Sequence, residues 1–111
     1  MAANQVIVIG GGLSGLSAAH TVLERGGSVV VIDKNPFLGG NSTKATSGIN
    51  GALTRTQISL GVKDSPDAFL HDTALSASKG ASDKPYPLAR VLTYGSAPAV
   101  EWLQDSFGLD L

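Results

Sequence analysis

The stretch Val6-Ile7-Val8-Ile9-Gly10-Gly11-Gly12-Leu13-Ser14-Gly15 decides how the rest of this 111-residue chain is read. Four consecutive β-branched residues have the signature of a short strand buried on both faces of a parallel sheet. A glycine cluster ends the run. From Leu13 to Arg25 the apolar positions Leu13, Leu16, Ala19 and Leu23 then fall at helical spacing, with Gly26 and Gly27 placed to stop the helix. Ser28 to Ile32 repeats the β-branched signature and ends at Asp33. Strand, helix and strand in this order make a βαβ unit, whose crossover is right-handed by default.

Gly10, Gly12 and Gly15 form G-x-G-x-x-G, a pattern common enough to be weak evidence alone. Its setting strengthens it: it follows a predicted strand, opens a predicted helix, and is answered by Asp33, 18 positions after Gly15. Gly10 permits a tight turn, Gly12 lets a diphosphate approach the main chain, and Gly15 lets the helix pack closely on the strand. The free N–H groups and dipole at the helix start offer an anion site. Asp33 would accept hydrogen bonds from a ribose hydroxyl and repel a 2′-phosphate, so NAD or FAD is favoured over NADP.

Composition supports a local role for this region. Ten of the 14 glycines fall in the first 51 residues, so the glycine excess belongs to the fingerprint and its surroundings. The chain is 42% hydrophobic and 15% charged, an ordinary core-forming mixture. Eight Lys+Arg against nine Asp+Glu, without a basic cluster, leave no electrostatic footprint for a nucleic-acid partner. With no cysteine, disulfides, cysteine zinc sites, iron–sulfur clusters and thiol nucleophiles are excluded. The early apolar run is broken by glycines and preceded by no basic residue, so neither a signal peptide nor a membrane span is expected. The default location is cytoplasmic, with a mitochondrial form open if a presequence has been removed.

Beyond Asp33 the chain is turn-rich through Ser42, then irregular to Ala52 with at most one helical turn. Ser65-Pro66 has the cap-then-first-position form of a helix start, and the pattern runs to Lys79 before Gly80. Pro85 and Pro87 start a helix near Leu88 to Tyr94. Ser96 is expected to cap the next, with Ala99, Val100, Leu103 and Phe107 as its apolar stripe before Gly108. The fold class is therefore α/β: an N-terminal βαβ unit of a Rossmann-like domain followed by mainly helical segments, its sheet incomplete.

Lys34-x-x-x-x-Gly39-Gly40-Asn41-Ser42, then Ala45-x-Ser47-Gly48-Ile49-Asn50-Gly51-Ala52, resembles the second flavin-contacting stretch of the fumarate reductase/succinate dehydrogenase flavoproteins, and most of all their soluble fungal-type members. The likeness continues weakly through Asp64-Ser65-Pro66, Phe69, Asp72-Thr73, Lys79-Gly80 and Glu101-Trp102-Leu103. The resemblance implies noncovalent FAD, with its ribose on Asp33 beside Lys34 and its diphosphate near Gly10, Gly12, Leu13, Ser14 and Gly15. It implies that Gly40, Asn41, Ser42, Ser47, Gly48, Ile49 and Asn50 line the path toward the flavin ring. The family more often has Glu where Asp33 stands. Its respiratory members attach flavin covalently to a His that aligns with Asn41, and asparagine cannot form that bond. The implied reaction is reduction of fumarate, or a similar small dicarboxylate, by hydride transfer from reduced flavin, with the acid and carboxylate-clamping groups beyond Leu111.

Other residues have plainer readings. His20 and His71 are each expected to be structural or exposed helix residues, since one histidine makes no metal site. Asp72 and Thr73 read as packing or surface choices, Trp102 as a core anchor, and Lys44 and Arg55 as solvated cations. Ser14 and Ser42 lie outside G-x-S-x-G, and phosphate hydrogen bonding explains them better than nucleophilic chemistry. No catalytic residue is assigned. Two strands leave sheet edges unpaired, so residues 1–111 are expected to be the N-terminal portion of an FAD-binding domain without its substrate-capping region, inactive alone. A related flavoprotein acting on another substrate, such as a ketosteroid dehydrogenase or urocanate reductase, and a nonenzymatic nucleotide-binding fragment stay open.

Overall fold

The computed structural model describes residues 4–45, 47–77 and 87–111. The chain divides into two compact units, residues 1–47 and residues 48–111.

In the first unit, β1 (Gln5–Ile9) and β2 (Ser28–Ile32) pair in parallel from Gln5↔Ser28 to Ile9↔Ile32, joined by α1 (Leu13–Glu24). This is the expected βαβ unit, with β1 one residue longer at its start. α1 packs on both strands and buries Ala19. Its end is closed as the glycine pair foretold: Gly26, at φ +75°, donates to the Leu23 carbonyl at 2.9 Å, and Gly27 donates to that of Val22 at 2.9 Å. Those two bonds satisfy carbonyls that the last helical turn leaves free.

The strands are not buried on both faces as their composition led us to expect. Ile7, Ile9 and Ile32 are exposed, Ile9 at 85%. Among the described residues the sheet has two strands, and α1 is the helix packed on it, so apolar side chains on the other face meet no covering element. After β2 a loop leads to a 3-10 turn, Gly40–Lys44, which begins in the turn-rich stretch and reaches only Thr43 and Lys44 of the irregular one, where the single helical turn is expected.

The second unit is helical: α2 (Arg55–Ser59), α3 (Pro66–Ala77), α4 (Pro87–Tyr94) and α5 (Ser96–Phe107). α2 was not expected. Its start is a capping box, in which Thr54 Oγ1 accepts from the Gln57 N–H at 3.2 Å while Gln57 Oε1 accepts from the Thr54 N–H at 2.9 Å. α3 starts where Ser65-Pro66 predicts, with Ser65 Oγ accepting from the Ala68 N–H at 3.0 Å. Its expected end at Lys79-Gly80, and the helix-starting role of Pro85, lie outside the described residues. α3 packs on α4, where the Tyr94 hydroxyl donates to Asp67 and the Arg90 guanidinium lies 4.3 Å from the Tyr94 ring centre.

Ser96 is the first residue of α5 and does not cap it; Gly95 occupies the cap position. The hydroxyl is engaged elsewhere, donating to the Thr93 carbonyl at 2.8 Å and accepting from the buried Ala52 N–H at 3.1 Å. The core of this unit gathers there, from Ala52, Thr54, Thr93, Ser96 and Val100. The buried face of α5 therefore runs through Ser96 and Val100, while Ala99 is exposed and Phe107 partly so. Gly108, at φ +65°, closes α5 as expected. Trp102 is half-buried, edge-to-face with Phe107 at 5.0 Å between ring centres. Among the described residues no helix is long and apolar enough to cross a membrane.

Candidate functional site

The glycine loop between β1 and α1 is built by backbone conformation. Gly10 stands at φ +101°, a region open to glycine at no steric cost, and its N–H extends the sheet by donating to the Ile32 carbonyl at 2.7 Å. Gly12 is the N-cap of α1, in extended conformation with no side chain capping the helix. The first helical amides, those of Leu13, Ser14 and Gly15, therefore begin a 12-residue helix whose positive dipole end is left to a ligand or solvent.

The three motif glycines differ in what surrounds them. A Cβ on Gly12 would meet nothing within 4 Å. One on Gly15 would run into the carbonyl of Gly10 and lie 3.3 Å from Val8 Cγ1. Gly12 thus leaves open space above the loop, and Gly15 carries the close approach of helix to strand.

Asp33 follows β2 and turns its carboxylate into the loop. Oδ2 accepts from the Gly11 N–H at 2.7 Å, and Oδ1 accepts from the Asn35 N–H at 2.8 Å. These bonds, with Asn35 contributing most, hold the carboxyl below its ordinary value, and Lys34 adds a smaller pull in the same direction. Each oxygen keeps capacity for a further donor.

The second glycine pair docks on the first. The Gly39 N–H donates to the Gly11 carbonyl at 2.7 Å, and Gly39 bridges Gly12 in parallel. Gly40, at φ +57°, sits so near that a Cβ would lie 3.2 Å from the Gly12 Cα. Asn41 and Ser42 follow in the 3-10 turn, exposed, and Thr43 Oγ1 closes it by donating to the Gly40 carbonyl at 2.9 Å.

The expected site residues thus fall into two groups. Gly10, Gly12, Leu13, Ser14, Gly15, Asp33 and Gly40 converge at one end of the parallel pair, with Lys34, Asn41, Ser42 and Ser47 in the same unit and exposed. Gly48, Ile49 and Asn50 belong to the second unit, where Gly48 and Ile49 line a cavity of about 240 Å³ with Gly51, Thr54, Val100 and Leu111.

Sequence reasoning passed over Gly11 and the role of Gly39. The available signal was the unbroken Gly10-Gly11-Gly12 run, since within that run the fingerprint requires glycine at the first and third residues and not at Gly11. Arg55, read as solvated, is instead forked onto Asp105 at 3.0 and 3.1 Å, which raises the guanidinium and lowers the carboxyl. His20, His71 and Asp72 are exposed on their helices.

Comparison with known proteins bears on what this loop receives. Residues 5–111 match the family described as FAD binding domain. The chain is 50% identical over 107 residues to fumarate reductase of Schizosaccharomyces pombe, covering 96% of this chain and 20% of that protein. It is 42% identical over 113 residues to fumarate reductase 1 of Saccharomyces cerevisiae, covering 100% of this chain and 23% of that protein. Among solved structures, the open conformation of a flavocytochrome c3 fumarate reductase superposes with a TM-score of 0.81 at 36% identity, covering 96% of this chain and 18% of that one. The chain spans about a fifth of the length of these relatives. An open glycine loop at the end of a parallel strand pair, and a match over nearly the whole length, agree: this chain belongs to the FAD binding domain family.

Proposed function

We propose that residues 1–111 are the N-terminal portion of a Rossmann-like FAD-binding domain in a longer cytoplasmic oxidoreductase, one that reduces fumarate to succinate with noncovalently held FAD. The observation that carries this reading is the open cradle over Gly12, where no atom would meet a Cβ within 4 Å and the uncapped amides of α1 begin. A diphosphate fits that donor set, because its negative oxygens match free N–H groups and the positive helix end. The substrate is taken from the relatives, which are named fumarate reductases.

In this reading Gly10, Gly12, Leu13, Ser14 and Gly15 hold the diphosphate, and Asp33 with Lys34 beside it holds the adenosine ribose. Gly40, Asn41, Ser42, Ser47, Gly48, Ile49 and Asn50 line the way to the flavin ring. Asn41 presents a carboxamide, which orients by hydrogen bonding and forms no covalent link to the ring. FAD, when bound, supplies the hydride-carrying chemistry that the side chains of this chain lack. The chain's own part is binding and orientation, and no catalytic residue is assigned to it.

Gly12→Ala tests the cradle in the full-length protein. The backbone at φ −77° accepts alanine and the space is empty, so the fold loses only the cap preference, about 1 kcal/mol or less. FAD affinity falls about tenfold or more, read as visible flavin absorbance retained through purification. Full flavin content in this variant would overturn the cradle. A flavin-loaded wild type that fails to reduce fumarate with a reduced dye as donor would overturn the substrate.

A further inference from the structure

The geometry points to a second role for Asp33: its carboxylate is a positioning residue that holds the glycine loop in the shape that receives the FAD diphosphate, independently of any contact with ribose. The inference rests on the FAD reading above and extends it.

Gly11 is buried, and both of its backbone groups are bonded: its N–H to Asp33 Oδ2 and its carbonyl to the Gly39 N–H, each at 2.7 Å. It lies between the turn glycine Gly10 and the helix cap Gly12, so the orientation of its two peptide groups sets the direction in which Gly12 and the first amides of α1 face. The bond from Gly39 reaches Gly11 from the loop after β2, and the bond to Asp33 ties it to the end of β2. Asp33 is itself held, because the Asn35 N–H occupies its other oxygen at 2.8 Å and fixes the plane of the carboxylate.

The fit leaves little slack. A Cβ on Gly11 would strike the Leu38 side chain and come within 3.2 Å of Asp33 Oδ2, so the loop is seated against the carboxylate. The Gly11 and Asn35 N–H groups each reach a different oxygen of the carboxylate. A carboxamide in place of the carboxylate would satisfy one donor and turn its own NH2 toward the other, setting donor against donor. A ribose-binding role alone would not require the Gly11 bond.

Asp33→Asn separates the two roles in the full-length protein stripped of flavin. Binding of ADP and of 2′,3′-dideoxy-ADP, which lacks both ribose hydroxyls, is measured by titration calorimetry on material whose melting curve shows it folded. The expected result is a loss of about tenfold in affinity for the dideoxy ligand, the scale of one charge-assisted hydrogen bond, with a larger loss for ADP. Unchanged affinity for the dideoxy ligand, with only ADP weakened, would confine Asp33 to the ribose and overturn the inference. A wild type that binds FAD and ADP not at all overturns the FAD reading itself, a distinct outcome. If the variant does not fold, hydrogen exchange of the flavin-free wild type decides: a protected Gly11 amide upholds the clamp, and an unprotected one removes it.

Discussion

Gly15 is placed against Gly10 so closely that a Cβ on the first would overlap the carbonyl oxygen of the second and lie 2.9 Å from its carbonyl carbon. Both partners are main chain, and Gly10 is also tied to β2 through its N–H bond to Ile32 at 2.7 Å. Relief would require moving the helix off the strand pair.

Gly15→Ala is therefore expected to destabilise the first unit by about 3 kcal/mol or more, at the upper end for overpacking. The gain in helix propensity of about 1 kcal/mol for replacing a helical glycine by alanine is too small to offset it. Urea denaturation followed by far-UV circular dichroism measures the loss. A variant as stable as the wild type would show that helix and strand are not in this contact. The contrast with Gly12→Ala, which costs binding and at most about 1 kcal/mol of stability, separates the structural glycine of the motif from the ligand-facing one.

What could be read beforehand follows the range of the interactions involved. The βαβ unit was legible because β-branched runs, helical spacing and the Gly26-Gly27 stop are each encoded within a few residues of where they act. The Ser65 cap was legible for the same reason. α2 is too short to show a period, although Thr54-x-x-Gln57 carried its capping box in plain view. Long-range partners had no local signal: Arg55 finds Asp105 50 residues away, and Ser96 finds Ala52 44 residues back. Strand composition announced apolar faces but could not say what covers them, so β1 was expected buried and is largely exposed. In the site, the roles of Gly10, Gly12 and Gly15 follow from a known spacing, whereas the need for glycine at Gly11 arises from Leu38 and Asp33, which only the folded loop brings to it.

The Asp33 carboxyl, held below its ordinary value of 3.8 by the Asn35 and Gly11 amides, links stability to pH. Because the folded-state value is the lower one, the stabilisation is fully present above the unfolded value. It is lost as pH falls through the folded value, since the unfolded chain takes up the proton first. Asp105, lowered chiefly by its hydrogen bond to Arg55, acts in the same sense. The urea midpoint is thus expected to decline as pH is taken from 6 toward 3, and Asp33→Asn should flatten part of that decline. An identical acid limb in the variant would show that the carboxylate is not held as described. Raising the salt concentration should weaken the exposed Arg55–Asp105 share and leave the main-chain bonds to Asp33 less affected.

Ser96 links the two parts of the second unit's core, and its removal leaves a defined vacancy. Ala52 is 1% exposed, and its N–H is bonded to Ser96 Oγ at 3.1 Å; the same hydroxyl donates to the Thr93 carbonyl at 2.8 Å. Ser96→Ala keeps the helix position, which Ser does not cap, and removes one atom. The Ala52 amide then loses its acceptor where water is excluded, at a cost of about 1–3 kcal/mol. Helix propensity works the other way, since alanine is the better former, but by less than about 0.7 kcal/mol. Ser59 provides the control: its hydroxyl donates to the Thr56 carbonyl at 2.9 Å on an exposed residue, so Ser59→Ala should stay within about 0.5 kcal/mol of the wild type. Equal urea midpoints for the two variants would mean that the Ala52 amide finds another partner. Hydrogen exchange at Ala52 tests the same point directly, because the amide should lose protection in Ser96→Ala and keep it in Ser59→Ala.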